Sequence, residues 1–347
     1  MSKTTDILDH YKESILLHDH DGQILYINAS ACDFVSELKD YDKSFLYQPR
    51  KTLYAQLSTL PDERKLRSLP AYAQPESYDQ IIIHLSKNRH ENLFHIGFAL
   101  YLLKPEGAIV LFGSNKGGAQ RYQKDLFQAG MKPEYDYKFK ARLIRANKTN
   151  ELNDNLLKKW LGYGQAVRVK DTDLKADPGL FSSRRADPGS LALIQSLPDT
   201  LEGLGADFGC GYGLLGKDLL ENRGATKLIC ADDDNRALES TSENLSRYEE
   251  SGALLIMLWT DLTHKEDIQE NSLDWIVMNP PFHDDLSTDS LIGQRFIETA
   301  AYGLKKGGTL YMVANKQLPY ESVLDANFSS IKHKEDVQGY KIIHAVK

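Results

Sequence analysis

Two tandem α/β domains built on one pattern are the expected fold of this 347-residue chain, and three observations support it. The length exceeds what a single hydrophobic core ordinarily serves, so two domains are the default. The second half alternates β-rich runs with helix-length segments around a glycine-rich turn, the order of a parallel, Rossmann-like sheet. The halves also echo each other. Asp79-Gln-Ile-Ile-Ile-His84-Leu-Ser and Leu103-Lys-Pro-Glu-Gly107-Ala-Ile-Val-Leu-Phe112 match Asp274-Trp-Ile-Val-Met-Asn279-Pro-Pro and Leu304-Lys-Lys-Gly-Gly308-Thr-Leu-Tyr-Met-Val313. In each pair a β-rich run leads through a helix-length segment to a glycine turn and a second β-rich run.

Taken in order, Ser14–Leu17 is expected as the first strand, running into His18-Asp-His20-Asp-Gly22. Two histidines among acids suggest a metal, but third and fourth ligands are not evident, so a polar turn is the preferred reading. Met131-Lys-Pro133 closes the first unit. Beyond it, Phe139–Arg145 and Gln165–Val169 alternate like half-buried strands, with a break at Trp160-Leu-Gly-Tyr-Gly164. Asp187-Pro188 reads as an N-cap with proline at the first helical position, starting a helix through Leu197. Helices are expected over Leu214–Glu221 and from Asn235 onward, and strands over Lys227–Ala231, Leu254–Trp259 and Leu273–Met278. Lys305 and Lys306 would close a helix at its C-terminus before a strand over Thr309–Asn315. The expected division is 1–131, a connecting segment 132–174, and 175–347.

Composition narrows the function classes. Apolar residues make up 41% and charged residues 26%, which suits a globular protein with ample core. No run reaches the ~18 apolar residues that cross a bilayer, and Met1-Ser-Lys-Thr-Thr-Asp lacks the apolar stretch of a secretory signal. Cys32, Cys210 and Cys230 are odd in number and not spaced as metal ligands, so a cytoplasmic protein without a structural metal is expected. A net charge of −7 argues against nonspecific coating of nucleic acid. Between 132 and 185, however, thirteen basic residues face seven acids. That stretch is either a solvated face or a source of phosphate contacts.

Two motifs carry the chemistry. Asp207-Phe208-Gly209-Cys210-Gly211-Tyr212-Gly213 precedes a helix, and alternate glycines let the backbone turn sharply and approach a ligand. Gly211-Tyr-Gly213-Leu-Leu-Gly216 also satisfies the dinucleotide pattern, and Asp232 could bind ribose hydroxyls under either reading. Asn279-Pro280-Pro281-Phe282 directly follows the expected strand Leu273–Met278. Its prolines fix φ and bring no N–H, so the turn is stiff and rich in acceptors. Asn279 Oδ1 and the Pro280 carbonyl can take both hydrogens of one planar amine, while Phe282 offers a face for stacking. A plain turn is the alternative for a lone Asn-Pro. Hydride-transfer enzymes have no need of this second motif.

These motifs, with Pro178-Gly-Leu-Phe181-Ser182, Asp187-Pro-Gly-Ser190, the Gly307-Gly308 turn, Leu318-Pro319-Tyr320 and Tyr340–Val346, resemble RsmC-type 16S ribosomal RNA guanine-N2 methyltransferases. These are class I S-adenosylmethionine-dependent enzymes. The resemblance is strong over 175–347 and traceable over most of the remainder. It implies two tandem Rossmann-like methyltransferase domains, the second with a seven-stranded mixed sheet and the first a degenerate copy. It implies S-adenosylmethionine as cofactor, bound by Asp207, Gly209, Gly211, Gly213, Asp232, Asp261 and Asn279, and catalysis by Asn279, Pro280, Pro281 and Phe282. Asp207 would meet the methionine amine, Asp232 the ribose and Asp261 the adenine. Phe181 would cover the cofactor or, more ordinarily, fill its own loop. His283 and Asp284 are candidates for proton acceptors or caps. The implied partner is 16S RNA or the small ribosomal subunit, met by a monomer, with no metal and no membrane.

Three other readings stay open. A sister family acts on a large-subunit RNA guanine, and release-factor glutamine methyltransferases use a similar Asn-Pro-Pro turn, usually followed by Tyr. A non-catalytic RNA-binding assembly factor would keep the fold without the chemistry.

Overall fold

The structure, a computed structural model, describes all residues except 1–3, 18–19, 71–73, 282–285 and 338, with the backbone alone at 286–290 and 334–337. The chain divides into two compact units, Met1–Gln165 and Ala166–Lys347.

The first unit is a seven-stranded mixed sheet. Its strands are β1 (Ile24–Ile27), β2 (Ser44–Tyr47), β3 (Lys65–Leu66), β4 (Tyr78–His84), β5 (Leu103–Ser114), β6 (Glu134–Lys138) and β7 (Ala141–Asn147), in the order β3-β2-β1-β4-β5-β7-β6. Only β7 runs antiparallel to its neighbours β5 and β6. β1 is buried along its whole length as Ile-Leu-Tyr-Ile, as a strand covered on both faces must be. Apolar clusters line both faces, one around Ile81, Ile83 and Leu111, the other around Tyr26, Ile82 and Phe112.

The second unit opens with a small ladder, β8 (Val167–Arg168) against β9 (Lys175–Ala176). Its main sheet comprises β10 (Leu204–Phe208), β11 (Lys227–Asp232), β12 (Leu254–Trp259), β13 (Leu273–Met278), β14 (Leu304–Asn315), β15 (Ser330–Val337) and β16 (Tyr340–Val346). The order β12-β11-β10-β13-β14-β16-β15 is that of the first sheet, with β16 antiparallel.

Repetition extends to atomic detail. Asp79 accepts from Gln23 N and pairs with Lys104, as Asp274 accepts from Leu204 N and pairs with Lys305. A Cβ on Gly107 would lie 2.9 Å from the Lys104 carbonyl, and one on Gly308 would lie 2.9 Å from that of Lys305. Both glycines therefore serve the same close turn at the head of the fifth strand.

Five expectations are corrected. Ser14–Leu17 is not the first strand: Lys12–Ile15 is helical and β1 begins at Ile24. A short apolar run cannot by itself distinguish a buried helix from a strand. The segment 132–174 is not simply a connector, because β6 and β7 complete the first sheet and the helix Asp154–Gly162 packs on the helix Arg89–Leu102. The break expected at Trp160–Gly164 falls inside and just after that helix, with Trp160 buried. Lys305 and Lys306 belong to β14, and Lys305 holds Asp274 at 2.7 Å instead of finishing a helix. Of Gln165–Val169 only Val167–Arg168 is strand.

Candidate active site

The site lies at the carboxyl ends of β10, β11 and β13, where open α/β sheets bind ligands. The strand-to-helix turn after β10 folds as its glycines dictate. Gly209, Gly211 and Gly213 take φ of 77°, 56° and 86°, which disfavours any residue with a Cβ. Gly209 N and Cys210 N both donate to the Ala231 carbonyl, at 2.8 and 3.1 Å. From the far side Thr241 Oγ1 donates to Gly211 O at 2.9 Å and Asn244 Nδ2 to Tyr212 O at 2.8 Å. The loop is thus held by its backbone, and its glycine faces are left clear. Among the described residues a Cβ on Gly211 would meet nothing within 4 Å, and one on Gly209 would meet only Phe296 and the Asn279 carbonyl, at 3.8 and 3.9 Å. The glycine loop and the acceptor turn therefore adjoin, as their sequences suggested.

Two carboxylates flank this loop. Asp207 is fully buried; its Oδ2 accepts from Gly216 N at 3.1 Å, while Oδ1 has no partner among the described residues. Burial raises its pKa to about 7, with the charge of Asp232 adding to the effect against the Gly216 N–H. Asp232 ends β11, accepting from Gly211 N and Asp234 N at 2.9 Å each. Burial lifts it to about 6 despite those two donors. Two carboxylates this reluctant to ionise, one with an orphan oxygen, form a pocket that a cation would stabilise. Asp234 caps the next helix through Arg236 N. Asp261 lies beyond β12, with Oδ1 committed to the N–H and hydroxyl of Thr263 at 2.9 and 2.7 Å.

Asn279 is the most constrained side chain of the site. Its Nδ2 donates to Asp187 Oδ2 at 2.9 Å and to Ser190 Oγ at 2.8 Å. A carboxylate only accepts, so the amide nitrogen must face Asp187 and the carboxamide oxygen must face away. That oxygen, Oδ1, is buried and has no partner among the described residues. An unpaired buried acceptor costs about 1–3 kcal/mol unless a ligand supplies the donor. Pro280 is buried behind it and Pro281 is exposed.

Asp187 was read only as a helix cap, and it is one: Oδ2 also accepts from Ser190 N at 2.8 Å at the start of the helix Pro188–Ser196. Its second duty, holding Asn279 across 92 residues, went unseen. Tyr212 is another residue missed. Its hydroxyl is buried without a partner, and burial pushes its phenol up to about 12, with the Asp187 charge contributing. Phe181 is 61% exposed, so it does not fill its loop. Phe282, His283 and Asp284 lie outside the described residues. Among the described residues no cluster of His, Cys, Asp or Glu is arranged to hold a metal ion. No helix among them is long and apolar enough to cross a membrane.

The first unit shows the same crevice closed. By register Tyr26 stands where Asp207 does, since Ile27 meets Ile83 as Phe208 meets Met278. Asn28, Ala29 and Ser30 replace the start of the glycine loop, and His84 replaces Asn279. His84 stacks on Phe112, bonds Ser30 Oγ at 3.0 Å, and its carbonyl accepts from Asn28 Nδ2 at 3.2 Å. Burial lowers its pKa to about 4, so the ring is neutral at ordinary pH. Side chains that bond one another occupy the space that the second unit leaves to unpaired acceptors.

Comparison with known proteins agrees with this geometry. The family model described as methyltransferase small domain matches residues 171–344, and its N-terminal companion, methyltransferase small domain N-terminal, matches 17–163. Ribosomal RNA small subunit methyltransferase C of Acinetobacter baumannii is 28% identical over 341 residues, covering 96% of this chain and 98% of the relative. The protein of the same name from Shewanella pealeana is 31% identical over 280 residues, 78% of each chain. The solved structure of the T. thermophilus 16S rRNA N2 G1207 methyltransferase RsmC, in complex with AdoMet and guanosine, superposes with a TM-score of 0.79. It is 22% identical and covers all of this chain and 92% of the other. That likeness establishes the fold: two tandem copies of a seven-stranded mixed α/β sheet. With the family model matched over half its length and a relative 31% identical over 78% of each chain, the chain belongs to the methyltransferase small domain family, alongside the small-subunit methyltransferases C.

Proposed function

We propose that the second unit transfers a methyl group from S-adenosylmethionine to the exocyclic N2 of one guanine in small-subunit 16S ribosomal RNA. The single observation that carries the acceptor half of this reading is the buried, unpaired Oδ1 of Asn279, locked outward by Asp187 and Ser190.

When bound, the cofactor supplies a methyl already activated by its sulfonium sulfur, so the protein's task is chiefly positioning. Asp207, with its orphan oxygen, suits the cationic amine of the methionine moiety, and Asp232 suits ribose hydroxyls. The clear faces of Gly209 and Gly211 allow close approach to the loop. Asp261, whose Oδ1 is held by Thr263 and whose Oδ2 lies 3.7 Å from His264 Nε2, is assigned to an adenine edge.

A guanine amine is a weak nucleophile because its lone pair is delocalised into the ring. Asn279 Oδ1 and the Pro280 carbonyl accept its two hydrogens, turn the nitrogen towards the crevice, and stabilise positive charge as it develops there. Pro280 and Pro281 bring no competing donor and hold the turn stiff. Phe282 is assigned the stacking face for a base withdrawn from its RNA surroundings. A neutral carboxamide at position 279 fits an acceptor that needs orientation more than early deprotonation.

The test is direct. The protein is incubated with labelled S-adenosylmethionine and 16S RNA lacking its modifications, and the product is mapped by mass spectrometry. One N2-methylguanine in the small-subunit RNA is expected. Label on cytosine, on ribose, on large-subunit RNA alone or on a release factor would overturn the assignment.

A further inference from the structure

The first unit has no open crevice, yet one edge of its sheet carries an unusual surface. On β6, Tyr135 and Tyr137 are two residues apart and so point to the same side; they are 51% and 58% exposed. Arg142 lies opposite Tyr137 on β7 and reaches diagonally to place its guanidinium 4.5 Å from the ring of Tyr135. Arg142 Nη1 donates to Gln123 Oε1 at 3.4 Å, and Nε is buried without a partner among the described residues. No carboxylate among the described residues is paired with this half-buried arginine, so its charge is not neutralised within the hairpin.

The turn joining the two strands is as odd as the face. Lys138 pairs with Ala141, so Phe139 and Lys140 form a two-residue loop with φ of 54° and 58°. That turn normally takes Asn-Gly. Here it holds an aromatic residue, 43% exposed at the tip, and a lysine exposed beside it. From 132 to 148 there are six basic and two acidic residues, in a chain whose net charge is −7.

An exposed edge strand ordinarily discourages partners with charge and avoids aromatics. Exposed rings interleaved with basic side chains are instead the composition that stacks unpaired bases and neutralises phosphates. A second copy of the chain would have to bring the same positive face against itself. We infer that the β6–β7 hairpin is a stacking platform for single-stranded RNA, built around Tyr135, Tyr137, Phe139 and Arg142. The inference deepens the proposed function, since it assigns the non-catalytic unit a direct hold on the RNA substrate.

Full-length Tyr135→Ala/Tyr137→Ala protein is titrated against a fluorescein-labelled single-stranded oligoribonucleotide and against the 16S transcript, with anisotropy as readout. Binding weakens ~30-fold or more, while affinity for S-adenosylmethionine is unchanged. The Tyr135→Phe/Tyr137→Phe protein keeps its rings and binds as wild type. Arg142→Gln lowers the slope of log affinity against log salt by ~0.7. Unchanged affinity in the alanine variant, with a wild-type melting curve, overturns the platform. So does loss of a dimer by light scattering with RNA binding intact. Methyl transfer by wild-type protein is read separately. If wild type fails to methylate while hairpin-dependent RNA binding persists, the enzymatic reading fails alone; if it methylates and the hairpin is dispensable, the platform fails alone.

Discussion

Removing the Asp187 carboxylate should disable the acceptor site without emptying it. In Asp187→Ala the carboxamide of Asn279 keeps only Ser190 Oγ, at 2.8 Å, as a partner. A hydroxyl both donates and accepts, so it no longer dictates which end of the amide faces outward. The lost bond is charge-assisted, worth about 1.5–3 kcal/mol. If that difference is what holds Oδ1 outward, kcat for methyl transfer falls ~10- to 150-fold. The same substitution removes the cap on Ser190 N, which costs about 1 kcal/mol and lowers Tm by ~2–4 °C. Asp187→Asn separates orientation from charge. Asp187 Oδ2 alone accepts from both Ser190 N and Asn279 Nδ2, so a carboxamide oxygen in that position can take both bonds. That variant should stay within a few-fold of wild type. The assay is single-turnover transfer of labelled methyl to 16S RNA at saturating cofactor, with cofactor affinity measured by calorimetry. A folded Asp187→Ala protein within ~3-fold of wild-type kcat would refute the locking argument. Equal damage from Asp187→Asn would show that charge matters instead of orientation.

Asn279→Ala removes the outward acceptor itself, so it should bind S-adenosylmethionine while losing ~10²-fold or more in transfer, a split that calorimetry and labelled transfer read together. Cofactor binding should depend on pH through Asp207 and Asp232, raised to about 7 and about 6 in the free protein. A bound cation favours their charged forms, so affinity should weaken about tenfold per unit as pH falls below 7 and more steeply below 6, with protons released on binding. Calorimetry in buffers of different ionisation enthalpy measures both, and a flat profile would contradict the assignment. Without cofactor the same groups stabilise the fold fully below their ordinary value near ~3.9, and that contribution is lost as pH rises through about 6 and about 7. Thermal melts across this range should show cofactor stabilising most near neutrality. Gly205→Ala should lower Tm by several degrees, because its Cβ would stand 2.2 Å from the ring of Trp275 and overpacking costs about 1–3 kcal/mol.

Much of the second unit was legible because its signals are local. Leu273–Met278 is apolar but for Asp274 and ends in a proline turn, and its strand limits match. Leu228–Ala231 and Leu254–Trp259 are continuous apolar runs of strand length, and Asp187-Pro188 carries a complete N-cap signature. What stayed hidden depends on distant pairing. Asp187 is a cap in sequence and an anchor for Asn279 only once the fold brings 92 residues together. Of the β6–β7 hairpin only the second strand was legible, over Phe139–Arg145; its turn, Phe139-Lys140, read as strand because the hairpin signal would be Asn-Gly. Ser14–Leu17 failed for the opposite reason: an apolar stretch of four residues has no period long enough to choose between helix and strand.

The most direct test of the account is a crystal structure of this protein with S-adenosylhomocysteine and guanosine. It should show the guanine N2 amine within hydrogen-bond distance of Asn279 Oδ1, with Nδ2 still held by Asp187 and Ser190. A guanine bound elsewhere, or an Asn279 Oδ1 paired with a protein donor while the base sits in the crevice, would contradict it.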